Sequence, residues 1–144
     1  MEERIRPTKS GLFAIELLIG VGVFAICAAI CVGLFVRAEV VSHESADMTQ
    51  AVNEARSAAE CFKASGGDLA RTAEQCGGDI VQGAMFLHYD EDWQRLPYEG
   101  DWTFQLTLAP HAAEGYAAGT LSVDRAAEDA PFLSWEVAAM EVRP

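Results

Sequence analysis

The chain has 144 residues, of which 51% are hydrophobic, and a formal net charge of -12. The apolar residues are concentrated in one N-terminal run, which leaves about 100 residues for one small domain with a single core. Because negative charge repels phosphate backbones, this composition argues against direct nucleic-acid binding and fits an acidic, soluble exported domain.

The first predicted element is an apolar helix from Leu12 to Val36, in which the only charged residue is Glu16. With a rise of about 1.5 Å per residue it is longer than the roughly 30 Å hydrocarbon core of a bilayer. It is too long for a secretory signal peptide, whose apolar core usually has about 7–15 residues. Acidic residues follow the run and basic residues precede it, so the positive-inside rule puts the N-terminus in the cytoplasm. The basic residues are Arg4, Arg6 and Lys9.

Glu16 needs an explanation that a plain membrane anchor does not supply. An ionisable group inside a membrane costs about 2.5–3.5 kcal/mol even on insertion scales. If the chain were cut before Leu12, the new amine would lie one helical turn, about 6 Å, from Glu16. Glu16 could then reach the amine of a neighbouring subunit staggered along the helix axis. Opposite charges about 4 Å apart attract by roughly 4 kcal/mol at an effective dielectric constant near 20, which is similar to the insertion cost.

Residues 9–16 read KSGLFAIE, with a basic leader ending at Gly11, then apolar Leu12, and Glu16 as the fifth residue after that glycine. This string resembles the processing site of type IV prepilins and type II secretion pseudopilins. The resemblance implies that a prepilin peptidase cuts between Gly11 and Leu12 and that the new N-terminus is methylated. It further implies assembly with other pilin or pseudopilin subunits by a platform protein and an ATPase. Many major pilins have a proline where this chain has Gly33, which leaves the subclass open.

Beyond Val36 the helix is predicted to continue to about residue 65, since neither Pro nor Gly occurs before Gly66. A second helix is predicted at 68–75, between two Gly-Gly pairs. An apolar and aromatic segment at 80–90, and three segments at 102–108, 120–124 and 133–137 in which apolar and polar residues alternate, then predict about four antiparallel strands within 80–142. One face of the long helix is apolar and can cover this sheet. Its residues are Val41, Met48, Val52, Ala55, Ala59 and Phe62.

These elements predict an α+β fold, which is also the pilin-like architecture that the resemblance implies. With that resemblance, we expect residues 1–11 to be the leader, 12–36 the transmembrane and assembly half of the helix, and 37–144 the extracytoplasmic domain. We expect a structural subunit of a type IV pilus or secretion pseudopilus, and not an enzyme. It would lie in the cytoplasmic membrane and then in a filament on the cell exterior. The alternative is a single-pass membrane-anchored binding or sensor domain in which Glu16 has no role. A surface pilus, a secretion system and a DNA-uptake system all remain open.

The other reactive residues give no sign of a catalytic or cofactor site. His43, His88 and His111 lie far apart in the sequence and lack ligand spacing. The acidic segment Asp90–Asp101 does not match an EF-hand loop, so a solvated turn is favoured over a calcium site. Cys27 and Cys31 lie within the apolar run, where cysteine packs as a small hydrophobe. Outside the cytoplasm Cys61 and Cys76 can form a disulfide, with two free thiols as the alternative.

Overall fold

The computed structural model describes residues 9–140, and the contacts within the chain divide it into two units, residues 1–44 and 45–144. Residues 1–8 of the predicted leader and the predicted strand end at 141–142 lie outside the described residues. Helix α1, Lys9–Ala64, contributes residues to both units and contains no proline. The second unit also contains helix α2, Leu69–Cys76, and the strands.

Two glycines end α1. Gly66 and Gly67 have positive φ angles of 67° and 84°, which is the conformation that commonly closes a helix. The N–H of Gly67 donates to the Phe62 carbonyl at 2.9 Å. Asp68 then caps α2, because its carboxylate accepts hydrogen bonds from the N–H groups of Ala70 and Arg71. The two helices are thus joined by a tight, hydrogen-bonded turn.

Within residues 9–140, six strands form one antiparallel sheet in the order β1-β2-β4-β5-β6, with β3 also pairing with β2. Two-residue turns connect β1 to β2 and β4 to β5. In the first, Gln82 and Gly83 both have positive φ, the signature of a primed hairpin turn. The strands are β1 Asp79–Val81, β2 Ala84–Tyr89, β3 Arg95–Leu96, β4 Phe104–Ala113, β5 Tyr116–Arg125 and β6 Leu133–Ala139.

The α+β fold class is confirmed, since a long N-terminal helix packs on a C-terminal antiparallel sheet. The strand count differs from the predicted four. Residues 80–90 were expected to form one strand, but the Gln82-Gly83 turn divides them between β1 and β2. Strand β3 has only two residues, too few to show an alternating pattern. Short strands at a sheet edge leave little trace in the sequence, because their identity depends on pairing.

The core of the second unit lies between one face of the sheet and α1. Strand β4 shows the expected alternation, because Phe104, Leu106 and Leu108 are buried and Gln105 and Thr107 are only partly so. The helix contributes mostly alanines, which allow it to approach the sheet closely, and one large side chain. The buried α1 residues are Ala51, Ala55, Ala58, Ala59 and Phe62. The buried face therefore includes Ala51 and Ala58, which the predicted stripe omitted, whereas Val41 and Met48 of that stripe are exposed.

A group of polar and aromatic side chains joins α1 to strand β5 and to the loop between β2 and β3. Asp47 accepts hydrogen bonds from the Trp93 indole N–H at 3.1 Å and from the Arg125 guanidinium at 2.9 Å. Trp93 stacks on Phe104 with ring centroids 4.2 Å apart, and the Arg125 guanidinium lies over the Phe104 ring at 5.1 Å. Asp47 thus binds two side chains that both pack on Phe104.

Gly67 touches the sheet directly, which predicts a specific cost for adding a methyl group. A Cβ built on Gly67 would lie 2.0 Å from the Cβ of Ala117. Gly83 has nearly the same φ angle, 83° against 84°, but nothing lies within 4 Å of its Cβ position. Gly83→Ala should therefore carry only the backbone cost, about 1–2 kcal/mol. Gly67→Ala should lose about 1–3 kcal/mol more, because it also overpacks the contact.

The measurement is urea unfolding of the full chain in detergent, followed by tryptophan fluorescence, because all three tryptophans lie in the second unit. Equal losses of unfolding free energy in the Gly67→Ala and Gly83→Ala variants would contradict the proposed close contact with Ala117.

Candidate functional site

The residues predicted for processing and assembly lie together at the start of α1. The helix begins at Lys9, so the peptide bond between Gly11 and Leu12 falls in its first turn. Glu16 follows one turn after Leu12 and is exposed. Among residues 9–140, the ion pairs all lie in the second unit and none involves Glu16. Its carboxylate is therefore available to a group from outside the described part of the chain.

The surface around Glu16 is apolar on every side of the helix. Every large apolar side chain from Leu12 to Val41 is between 55% and 76% exposed. A contiguous exposed apolar surface of this size marks a site of membrane or protein contact. The helix is long and apolar enough to cross a membrane, and no part of its most apolar stretch is buried within the chain.

Small residues interrupt this surface along one line of the helix. Ala25, Ala29 and Gly33 are spaced by four residues, so they lie on the same face. A Cβ on Gly33 would meet nothing within 4 Å. Such small-residue faces let neighbouring helices approach closely within a membrane. The arrangement thus combines a membrane-length apolar surface, a face suited to close packing, and one carboxylate.

The four cysteines are in two different environments, and all four are free thiols in the structure. Cys27 and Cys31 are exposed on the apolar part of α1, whereas Cys61 is half-buried and Cys76 is buried. The predicted disulfide would join the last two, which lie on α1 and α2. Burial raises the pKa of Cys76 to about 12, and the neighbouring Cys61 thiol adds to that shift. The structure thus brings this cysteine pair together.

The Asp90 carboxylate stabilises the turn at the start of the acidic segment Asp90–Asp101. One oxygen of Asp90 accepts hydrogen bonds from the N–H of Asp92 at 3.0 Å and from the N–H of Gln94 at 2.8 Å. Within residues 9–140, no group of three or more His, Cys, Asp or Glu side chains is placed to hold a metal ion.

The histidines do not form a site with one another. His43 is exposed on α1 and His111 is exposed on β4. His88 is buried, with its Nε2 atom 3.2 Å from Oε1 of Gln105. Its ring is stacked with Phe86, their centroids 6.4 Å apart. His88 thus lies among the aromatic rings of Phe86, Tyr98 and Trp102, on the face of β2 away from the core. Its buried Nδ1 atom has no hydrogen-bond partner within residues 9–140.

Sequence reasoning missed the contacts that hold α1 to the sheet. The Tyr89 hydroxyl donates to a Glu54 carboxylate oxygen at 2.7 Å, and Arg125 reaches Asp47 across 78 positions of the chain. Burial, followed by this hydrogen bond to Glu54, raises the pKa of Tyr89 above its usual range. No local pattern signals such pairs, because their partners are chosen by the tertiary fold.

Comparisons with protein-family models, with curated proteins and with solved structures found no match for this chain. The functional interpretation therefore depends on the residues of the chain and on the environment that the fold gives them.

Proposed function

We propose that this chain is a subunit of a type IV pilus or of a type II secretion-like pseudopilus. A prepilin peptidase removes residues 1–11, and the subunit then assembles through the apolar half of α1. The observation that carries this proposal is the placement of Glu16. It is the only charged residue in the exposed apolar stretch 12–36 of α1, and it lies one turn after the residue that cleavage would make the N-terminus.

Glu16 has a natural partner in an assembly of identical helices. The amine created at Leu12 lies about 6 Å from Glu16 along the helix axis. A neighbouring helix displaced by about that distance brings its amine beside the carboxylate. A charge buried with a partner costs far less than a charge buried alone. The pair therefore favours one stagger between adjacent subunits over all others.

The remaining apolar surface of α1 is suited both to the membrane, before assembly, and to the filament, after assembly. In the membrane it faces lipid, and in a filament it faces the same surface on other subunits. The face formed by Ala25, Ala29 and Gly33 suits close contact between helices. The second unit has its own sheet and core, so it can remain folded in both settings. The partners that follow are the membrane, the peptidase, other subunits, and the platform protein and ATPase of an assembly machine.

Processing can be tested with matched glycine variants. The full chain is expressed with and without a prepilin peptidase, and its length is followed by gel mobility and intact mass. The wild-type chain should lose eleven residues only when the peptidase is present. Gly11→Val should block this cleavage, because the junction then presents a branched side chain next to the scissile bond.

Gly20→Val is the control. It makes the same substitution in the same helix, at a position where a Cβ meets nothing within 4 Å. This variant should be cleaved like the wild type. A wild-type chain of the same length with and without the peptidase would count against a prepilin-type processing site. Cleavage of Gly11→Val at the normal rate would count against it as well.

A further inference from the structure

The turn between α1 and α2 sets the register of the two helices. The hydroxyl oxygens of Ser65 and Thr72 lie 2.7 Å apart, and the Ser65 hydroxyl also lies 3.0 Å from the Phe62 carbonyl. Thr72 is fully buried, and its hydroxyl donates to the Asp68 carbonyl at 2.7 Å. The contact between Ser65 and Thr72 therefore joins the end of α1 to the first half of α2.

Each cysteine lies one helical turn from the Ser65–Thr72 contact. Cys61 precedes Ser65 by four residues, and Cys76 follows Thr72 by four. Residues four apart share a helix face. Moving back along α1 and forward along α2 thus leads from the Ser65–Thr72 contact to the two cysteines on the faces that meet there. The Cys61 thiol lies next to Cys76, where it adds to the rise in the pKa of that cysteine.

Packing around the pair agrees with this register. Cys76 belongs to the buried core cluster, and Cys61 is one of the partly buried side chains packed against it. The Cys76 carbonyl accepts a hydrogen bond from the Arg95 guanidinium, which fixes the end of α2 beside β3. The two thiols are thus held by both helices and by the edge of the sheet.

We propose that Cys61 and Cys76 are an oxidation site whose product is a disulfide that fastens the end of α1 to α2. The inference depends on the proposed function only for its compartment, since a disulfide persists outside the cytoplasm. The bond closes a ring of sixteen residues that contains the whole interhelical turn. It limits the separation of α1 from the rest of the second unit.

The oxidant is the disulfide of an extracytoplasmic thiol–disulfide oxidoreductase. The half-buried Cys61 reacts first: its thiolate attacks one oxidoreductase sulfur, and the other sulfur leaves as a thiolate. Cys76 then loses its proton and attacks the Cys61 sulfur, which releases the oxidoreductase. The two cysteines lose two electrons and two protons in total, and the oxidoreductase disulfide becomes a dithiol. Burial keeps Cys76 protonated in the reduced chain, which assigns the first step to Cys61.

The test is a tryptic digest of the chain purified from its own membranes or filaments, alkylated without reduction. Cleavage at the basic residues places Cys61 in peptide 57–63 and Cys76 in peptide 72–95. Cys27 and Cys31 fall in a separate peptide that ends at Arg37. Peptides 57–63 and 72–95 should be linked in the unreduced digest and separate after reduction. Alkylation of both Cys61 and Cys76 without reduction would overturn the proposal.

The same digest reports on the proposed function separately. A peptide beginning at methylated Leu12 supports pilin-type processing whether or not the cysteines are linked. A linked pair in a chain that retains its leader would support the disulfide and reject that processing.

Thermal unfolding gives a second measurement. The disulfide-linked chain should lose about 10 °C or more of its melting temperature on reduction. Cys61→Ser changes the less buried partner and should melt at the temperature of the reduced wild type, with no further response to reductant. A wild-type melting temperature that reductant does not change would contradict the disulfide.

Discussion

Replacing Glu16 with alanine should leave the chain cleaved and inserted but exclude it from filaments. The substitution removes the partner of a neighbour's amine in an apolar environment. Leaving one member of a buried ion pair without the other costs about 3–5 kcal/mol, which weakens each contact more than a hundredfold. The measurement compares the amount of subunit in sheared filaments with the amount left in the membrane.

Glu39→Ala is the matched control, because it removes the same charge from an exposed position farther along α1. It should assemble normally. Glu16→Gln, which keeps the shape and polarity of the side chain, should fail in the same way as Glu16→Ala. Normal incorporation of Glu16→Ala in the presence of full cleavage would refute the role of the carboxylate in subunit register.

Replacing Phe62 with alanine should produce the largest loss of stability in the second unit. Phe62 is 0% exposed and is the only large side chain that α1, Lys9–Ala64, contributes to the buried core. Its removal leaves a cavity between the helix and the sheet, and such truncations cost about 3–5 kcal/mol. For a domain of this size the melting temperature should fall by more than about 10 °C. Thermal unfolding of the full chain in detergent, read by tryptophan fluorescence, measures this change.

Phe35→Ala makes the same substitution on the same helix at a side chain that is 76% exposed. The melting temperature of the second unit should stay within a few degrees of the wild type in this variant, because Phe35 is exposed and is not one of the core residues. A loss for Phe62→Ala no larger than the loss for Phe35→Ala would show that Phe62 does not hold the helix to the sheet.

Periodicity was enough to predict the class of fold and the parts of it that carry a strong pattern. Strand β4 alternates over Phe104, Leu106 and Leu108, and all three are buried as expected. The weaker patterns failed in a consistent way. Strands β1 and β3 are defined by their pairing with β2. Ala51 and Ala58 are buried, which the pattern could not predict because alanine also occupies exposed positions of the same helix, such as Ala46.

Among the residues of the candidate site and its surroundings, those that are neighbours in sequence could be predicted, and those paired over long distances could not. Gly11, Leu12 and Glu16 are neighbours in sequence, so a local motif is sufficient to identify them. The pairing of Asp47 with Arg125 depends on two elements 78 residues apart and could not be predicted. Cys61 and Cys76 fall between these cases. Their compartment and spacing suggested a bond, but only the fold shows that α1 meets α2 at Ser65 and Thr72 and that the Cys61 thiol lies next to Cys76.

The most direct test of the proposed function is the N-terminus of the protein isolated from its own cells. Intact mass and N-terminal sequencing should identify a chain that begins at Leu12 and carries a methyl group on its amine. That result is expected because the peptidase cut and the pairing of the new amine with Glu16 are parts of one assembly mechanism. A membrane-extracted chain that still begins at Met1 would contradict it and would favour a plain membrane anchor for a binding or sensor domain.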